Sequence, residues 1–260
     1  MNRRKSLLSL FALPAILNFF GATAMAQDAI SYKTETADYE GYLFEPLNEG
    51  AYSGVSVLIA HDFLGPGDNQ FAMAEQFASD GALVFVADFY GTAIRPQSVE
   101  DATAQALRVR GDVTELRSAM SAALTELEKA GGTPQKTAVI GTSVGGLAAL
   151  ELGRTGAKLG AIVVLWGVFE NTAADSASDI SAKVTFLQGD LDPLASAEAR
   201  IQIKQDLESS GTDYDITVFE GVAHAFTLPF MGTDTSTGFA YDEAATAKSM
   251  QKIDDVLKGL

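Results

Sequence analysis

The stretch VIGTSVGGLAAL, Val139 to Leu150, decides how the rest of the chain is read. An apolar, strand-like run stops at Gly141, and Gly145-Gly146 then opens a segment of helical composition. Between them sits a single hydroxyl, Ser143. Glycine on both sides is what a very tight strand-to-helix turn demands, because a Cβ there collides with neighbouring backbone. Two readings are open at this point. One is an ordinary turn with a serine N-cap; the other is G-x-S-x-G, an elbow that holds a serine Oγ exposed above a sheet.

Outward from this turn, compact apolar runs alternate with amphipathic segments. Ile30 to Glu45 predicts two short strands in a hairpin. Further strands are expected at Ser56 to Ala60, Ala82 to Ala87, Thr137 to Ile140, Ala161 to Leu165, Val184 to Gln188 and Tyr214 to Phe219. Helical spacing marks Asn69 to Ser79, Asp101 to Arg110, Asp112 to Ala130, Val144 to Leu152, Ala195 to Leu207 and Tyr241 to Leu257. Such alternation predicts an α/β fold, doubly wound, with a mostly parallel sheet flanked by helices. Neither a repeat nor a linker divides it, so residues 27–260 are expected to form one domain.

The first 26 residues read differently. Arg3-Arg4-Lys5 precedes an uncharged, mostly apolar run from Leu7 to Phe20, and Ala24-Met25-Ala26 follows. This is the pattern of a secretory signal peptide cleaved before Gln27, so the protein is expected in the periplasm or secreted. The run is short for a spanning helix and ends in small residues, an uncleaved anchor being the alternative reading. Asn2 to Ser6 faintly resembles a twin-arginine export signal. The chain has no cysteine, which excludes disulfides and thiolate chemistry. Its formal charge is −16 with Arg3, Arg4 and Lys5 included, hence −19 from Gln27 onward. That surplus disfavours nucleic acid and anionic membranes as partners.

In sheets of this kind, ligands sit beyond the carboxyl ends of the strands. A serine hydroxyl there needs a base to take its proton and a carboxylate to orient that base. Only two histidines are present. His224 follows the last strand, and Asp192 lies between it and Ser143, giving the order Ser, acid, His that accompanies such an elbow. His61, after an earlier strand, is the rival base and reads as a loop-shaping residue. Backbone N–H groups of Val144 and Phe63 are the expected oxyanion donors.

The mature chain resembles the dienelactone hydrolase family of the α/β-hydrolase fold from about Tyr39 to Leu260. The resemblance rests on VLIAHDFLG (Val57–Gly65), DGALVFVADFYG (Asp80–Gly91), VIGTSVGG (Val139–Gly146), LQGDLDPL (Leu187–Leu194), FEGVAHAF (Phe219–Phe226) and YDEAATAKSM (Tyr241–Met250). It implies a hydrolase of small esters or lactones without cofactor, with Ser143, Asp192 and His224 at the family's nucleophile, acid and base positions. Three positions depart from the family. Its cysteine nucleophile is replaced by Ser143. The acidic residue that engages the resting thiol is here Asp62, which is expected to shape its loop. The arginine that grips a substrate carboxylate is here Leu228.

Asp62, Tyr90, Trp166 and Phe226 are candidates for the lining of a substrate pocket, and Arg95 reads as a solvated surface charge. Asp190, two residues before Asp192, competes for the acid role, but the pair supplies too few oxygen ligands for a metal site. A non-catalytic binding member of the fold is the alternative to the enzyme. Neither the natural substrate nor the oligomeric state is legible.

Overall fold

The computed structural model describes residues 27–168 and 180–260. The expected leader, residues 1–26, lies outside them. Eight strands follow in chain order: β1 (Gln27–Lys33), β2 (Asp38–Phe44), β3 (Ser56–Ala60), β4 (Leu83–Ala87), β5 (Thr137–Thr142), β6 (Ala161–Leu165), β7 (Lys183–Gly189) and β8 (Tyr214–Phe219). They form one sheet in the order β1-β2-β4-β3-β5-β6-β7-β8. Pairing is antiparallel for β1 with β2 and for β2 with β4, and parallel from there on. The hairpin read from Ile30 to Glu45 is therefore an antiparallel margin on a parallel sheet, as the alternation predicts.

Six helices cover the sheet: α1 (Asp68–Ser79), α2 (Val99–Gly111), α3 (Val113–Lys129), α4 (Val144–Arg154), α5 (Ala197–Ser210) and α6 (Glu243–Lys258). Strand β3 is buried along its whole length, and its side chains alternate between two cores. Val57 and Ile59 join Phe77 of α1 and Ile253 and Leu257 of α6. Leu58 and Ala60 join Leu116 and Met120 of α3, Leu147 and Leu150 of α4, and Ile203 and Leu207 of α5. A parallel strand covered on both faces has to read as a continuous apolar run, which is why it is visible in sequence.

Caps set helix starts that periodicity alone misplaces. Expected starts at Ala195 and Tyr241 fall instead at Ala197 and Glu243. Ser196 accepts the N–H of Ala199, and Asp242 accepts that of Ala245, in each case satisfying a first-turn donor. The connection from β5 to α4 has no such cap: Ser143 makes no capping bond, which disposes of the N-cap reading.

Candidate active site

Gly141 and Gly145 make the β5–α4 turn possible. A Cβ on Gly141 would overlap the carbonyl of Gly145, and one on Gly145 would overlap the carbonyl oxygens of Ala60 and His61 at the end of β3. The helix start is thus pressed onto two strand ends, and Ser143 is forced to φ 54, ψ −120. A non-glycine residue costs of order 1–3 kcal/mol in such a conformation. Among the described residues only Trp166 (φ 40) and Ala225 (φ 60) share positive φ without being glycine. All three stand at one place: Trp166 directly follows β6, which pairs with β5 ahead of Ser143, and Ala225 follows His224. The Ser143 N–H donates to the Leu165 carbonyl, and the Val168 N–H donates to the Ser143 carbonyl, so the elbow is tied to β6 on both sides.

Around this elbow the three side chains selected by order form one hydrogen-bonded chain. Ser143 Oγ lies 3.1 Å from His224 Nε2. His224 Nδ1–H donates to Asp192 Oδ2 at 2.7 Å. Asp192 Oδ1 accepts the Leu194 N–H at 2.8 Å, and its Oδ2 also accepts an N–H from Gln188 Nε2. All four residues are buried. The imidazole stands edge-on to Trp166 (5.0 Å, 85°) and to Phe239 (5.3 Å, 73°). Its backbone is held from both sides, since the His224 N–H donates to Gly238 O and the Ala240 N–H donates to His224 O. Gly189, at the end of β7, allows close approach to the Val222 carbonyl, where a Cβ would collide. Asp190 does other work: its Oδ1 accepts the Gly221 N–H and anchors the loop leading to His224.

Val144 directly follows Ser143 at the start of α4, and Phe63 lies in the loop after β3. No hydrogen-bond partner occupies either N–H among the described residues. The loop carrying Phe63 is braced at three points. Tyr90 Oη donates to the Phe63 carbonyl at 3.0 Å. Asp62 accepts the Leu64 N–H at 2.9 Å and the Gln70 side-chain amide at 3.1 Å, and burial raises its carboxyl above the usual range. His61 Nδ1–H donates to the Asp62 carbonyl at 2.6 Å, while its Nε2 accepts the Phe89 N–H at 3.4 Å. The ring lies flat on Phe89 (3.7 Å between centroids, 8°). Burial pushes the imidazole down to about 4, helped by Arg95 and opposed by Asp88. His61 is therefore a neutral, fully committed ring that does not face Ser143.

The four pocket candidates separate. Asp62 and Trp166 line one cavity of about 340 Å³ together with Thr142, Thr227 and Leu228. Tyr90 faces a different groove between the β1–β2 hairpin and α3, beside Arg108 and Glu115. Phe226 lines neither; it is wholly buried and packs edge-to-face on Phe219 in the α1/α6 core. Arg95 also departs from the expectation. Rather than a solvated charge it is an ion-pair partner of the fully buried Asp88 at 3.1 Å, and it donates to the carbonyls of Gly91 and Ile94. Sequence reasoning passed over Gln188 and Phe239. A glutamine directly after the apolar pair Phe186-Leu187 in KVTFLQG was a usable signal for the first; the approach of Phe239 through a loop had none.

The sequence model described as Dienelactone hydrolase family matches residues 39–260. The chain belongs to the dienelactone hydrolase family. Among curated relatives of this family member, protein usf of Aquifex pyrophilus is 22% identical over 202 residues, covering 76% of this chain and 85% of the relative. A solved structure named m3DLH is 27% identical with a TM-score of 0.81, covering 91% of this chain and 98% of that one. A dienelactone hydrolase-like promiscuous phosphotriesterase from metagenomic libraries is 28% identical with a TM-score of 0.80, covering 91% and 99%. Membership of the dienelactone hydrolase family makes the chain a hydrolase of the α/β fold.

Proposed function

We propose that this protein is an exported serine hydrolase that cleaves small, uncharged carboxylic esters or lactones. The observation that carries this reading is the continuous chain from Ser143 Oγ through His224 to Asp192, built on a strained elbow. Ser143 Oγ attacks the carbonyl carbon while its proton passes to His224 Nε2. Asp192 holds the imidazole by Nδ1–H and stabilises the imidazolium as it forms. The new oxyanion is met by the N–H groups of Val144 and Phe63, donors worth several kcal/mol when preorganised in a dry site. Collapse breaks the carbon–oxygen bond to the leaving group, which takes the proton from His224. In a lactone that alcohol stays tethered to the acyl group. Water then attacks the acyl carbon as His224 takes its proton, and collapse returns that proton to Ser143 Oγ as the acid leaves.

The substrate class is supported by a cavity of about 340 Å³ that adjoins the triad through Thr142 and Trp166 without being lined by the triad side chains; its lining includes Asp62, Asp68 and Leu228 and no basic side chain. A carboxylate-bearing substrate would find nothing there to pair with, and desolvating an unpaired charge is costly. Export rests on the leader pattern alone. One structural relative is named a phosphotriesterase, and tetrahedral phosphorus places an oxyanion much as acyl transfer does. A fluorophosphonate probe is therefore the fitting reagent. It should label the wild-type protein once, at Ser143, and leave Ser143→Ala unlabelled, with hydrolysis of a 4-nitrophenyl ester reduced by roughly four orders of magnitude or more. Labelling or near-normal turnover in Ser143→Ala would sink the proposal.

A further inference from the structure

Gln188 is wholly buried near the end of β7, where Phe186 and Leu187 precede it. Its Nε2 donates to Asp192 Oδ2, the same oxygen that receives His224 Nδ1–H. Its Oε1 has no partner among the described residues. The amide orientation follows from chemistry: turned over, Oε1 would face a carboxylate that can only accept. A buried polar end left unsatisfied costs stability, and here the other end makes a bond to Asp192 that no apolar residue could make. We infer that Gln188 is a positioning residue for the acid of the active site. It fixes the rotation of the Asp192 carboxylate and shares the charge of Oδ2, so that the pull of this oxygen on His224 is set by two N–H groups instead of one.

The inference rests on the hydrolase reading for its kinetic consequences, but not for its geometry. Three other charged groups stand near the pair. Asp62 interacts with His224 across the pocket. Asp190 is engaged by the Gly221 N–H, and the Arg200 guanidinium is held by the carbonyls of Gly189 and Ala195. None of them touches Gln188, so substitution there changes one donor and leaves the other charges in place.

Removing the donor concentrates the carboxylate charge on the remaining partner, which favours the imidazolium. In Gln188→Leu, which keeps most of the volume, the NMR titration midpoint of His224 should move up by about half a pH unit or more. The chain has two histidines, so its imidazole signals are few enough to assign. Kinetically, kcat/KM on a neutral ester should fall roughly tenfold, through kcat more than KM, and its acid limb should follow the NMR midpoint. Gln188→Glu supplies the same shape with a donor present only while the two carboxylates share a proton. It should retain activity at the acidic end of the working range and show a new loss toward alkaline pH, and it carries the test if the leucine variant fails to fold. A shifted His224 midpoint in protein that turns over no ester would uphold the positioning role and reject the hydrolase reading. Unmoved midpoints, or an equal loss at every pH in both variants, would overturn the inference.

Discussion

His61 offers a quantitative test of how firmly the oxyanion-side loop is built. Its ring is sealed between Phe89 and the Asp62–Phe63 backbone, with Nε2 facing an N–H donor, so a proton has nowhere to go without breaking a bond. In the unfolded chain an imidazole takes up a proton near pH 6.5, whereas in the folded protein this ring does so only at about 4. Between those values the unfolded chain binds more protons, and stability therefore falls as pH falls through this window. Going from about pH 7 to pH 5 should remove about 2 kcal/mol through this one group, rising to about 3 kcal/mol by pH 4. For a protein of this size that is a drop of roughly 4–8 °C in Tm at pH 5. Burial also raises the Asp62 carboxyl, which acts in the opposite sense and gains stability as pH falls. The measurement must therefore be a difference. Urea unfolding of wild type and His61→Gln is followed at closely spaced pH values. The variant should be less stable at neutral pH but should lack the slope between pH 6.5 and 4. Parallel curves would refute the reasoning, because the wild-type ring would then be titrating as freely as in the unfolded chain.

Four further outcomes are expected. His224→Asn should abolish fluorophosphonate labelling almost as completely as loss of Ser143, whereas folded His61→Gln should still be labelled. Asp192→Asn should cut kcat by several orders of magnitude, while Asp190→Asn, which keeps an acceptor for the Gly221 N–H, should stay within about tenfold of wild type. Gly145→Ala should cost more than about 3 kcal/mol by chemical denaturation, since its Cβ meets two backbone carbonyls with no side chain to move aside. A neutral short-chain ester should surpass its carboxylate-bearing counterpart in kcat/KM at both low and high salt, because the position that would hold a cation carries Leu228; a preference for the charged substrate would mean that a cation reaches the cavity.

The parallel strands were legible because burial on both faces leaves no polar alternation to confuse them, and their ends pointed to Ser143, Asp192 and His224 without any structural aid. The pocket was not legible. Trp166 and Phe226 are both aromatic, each just beyond or near a strand end, and both are buried in the same core, yet only Trp166 also reaches a cavity wall, a difference that composition does not encode. Arg95 was misread because its partner, Asp88, is an acid whose burial depends on packing against Tyr32, whose hydroxyl donates to the Asp88 carbonyl. Gln188 and Phe239 act through contacts made only when β7 curls toward the His224 loop and a distant strap lies across it.

The order of the sheet has a temporal consequence. Ser143 directly follows the central strand β5, but the ring that faces its hydroxyl lies 81 residues further along the chain, beyond the outermost strand β8. A growing polypeptide can therefore complete the elbow while the hydroxyl remains as inert as any free alcohol. Chemical competence arrives only with the last quarter of the chain, once β8 has docked and the Gly238–Ala240 segment has closed over the histidine. The same logic runs in reverse under mild denaturant: a margin strand paired on one side opens at lower cost than the centre. A form that keeps most of its secondary structure but no longer reacts with electrophiles is the expected first product of such opening. Loss of probe reactivity should precede loss of helical circular dichroism, so the serine serves as a reporter of the sheet's far margin.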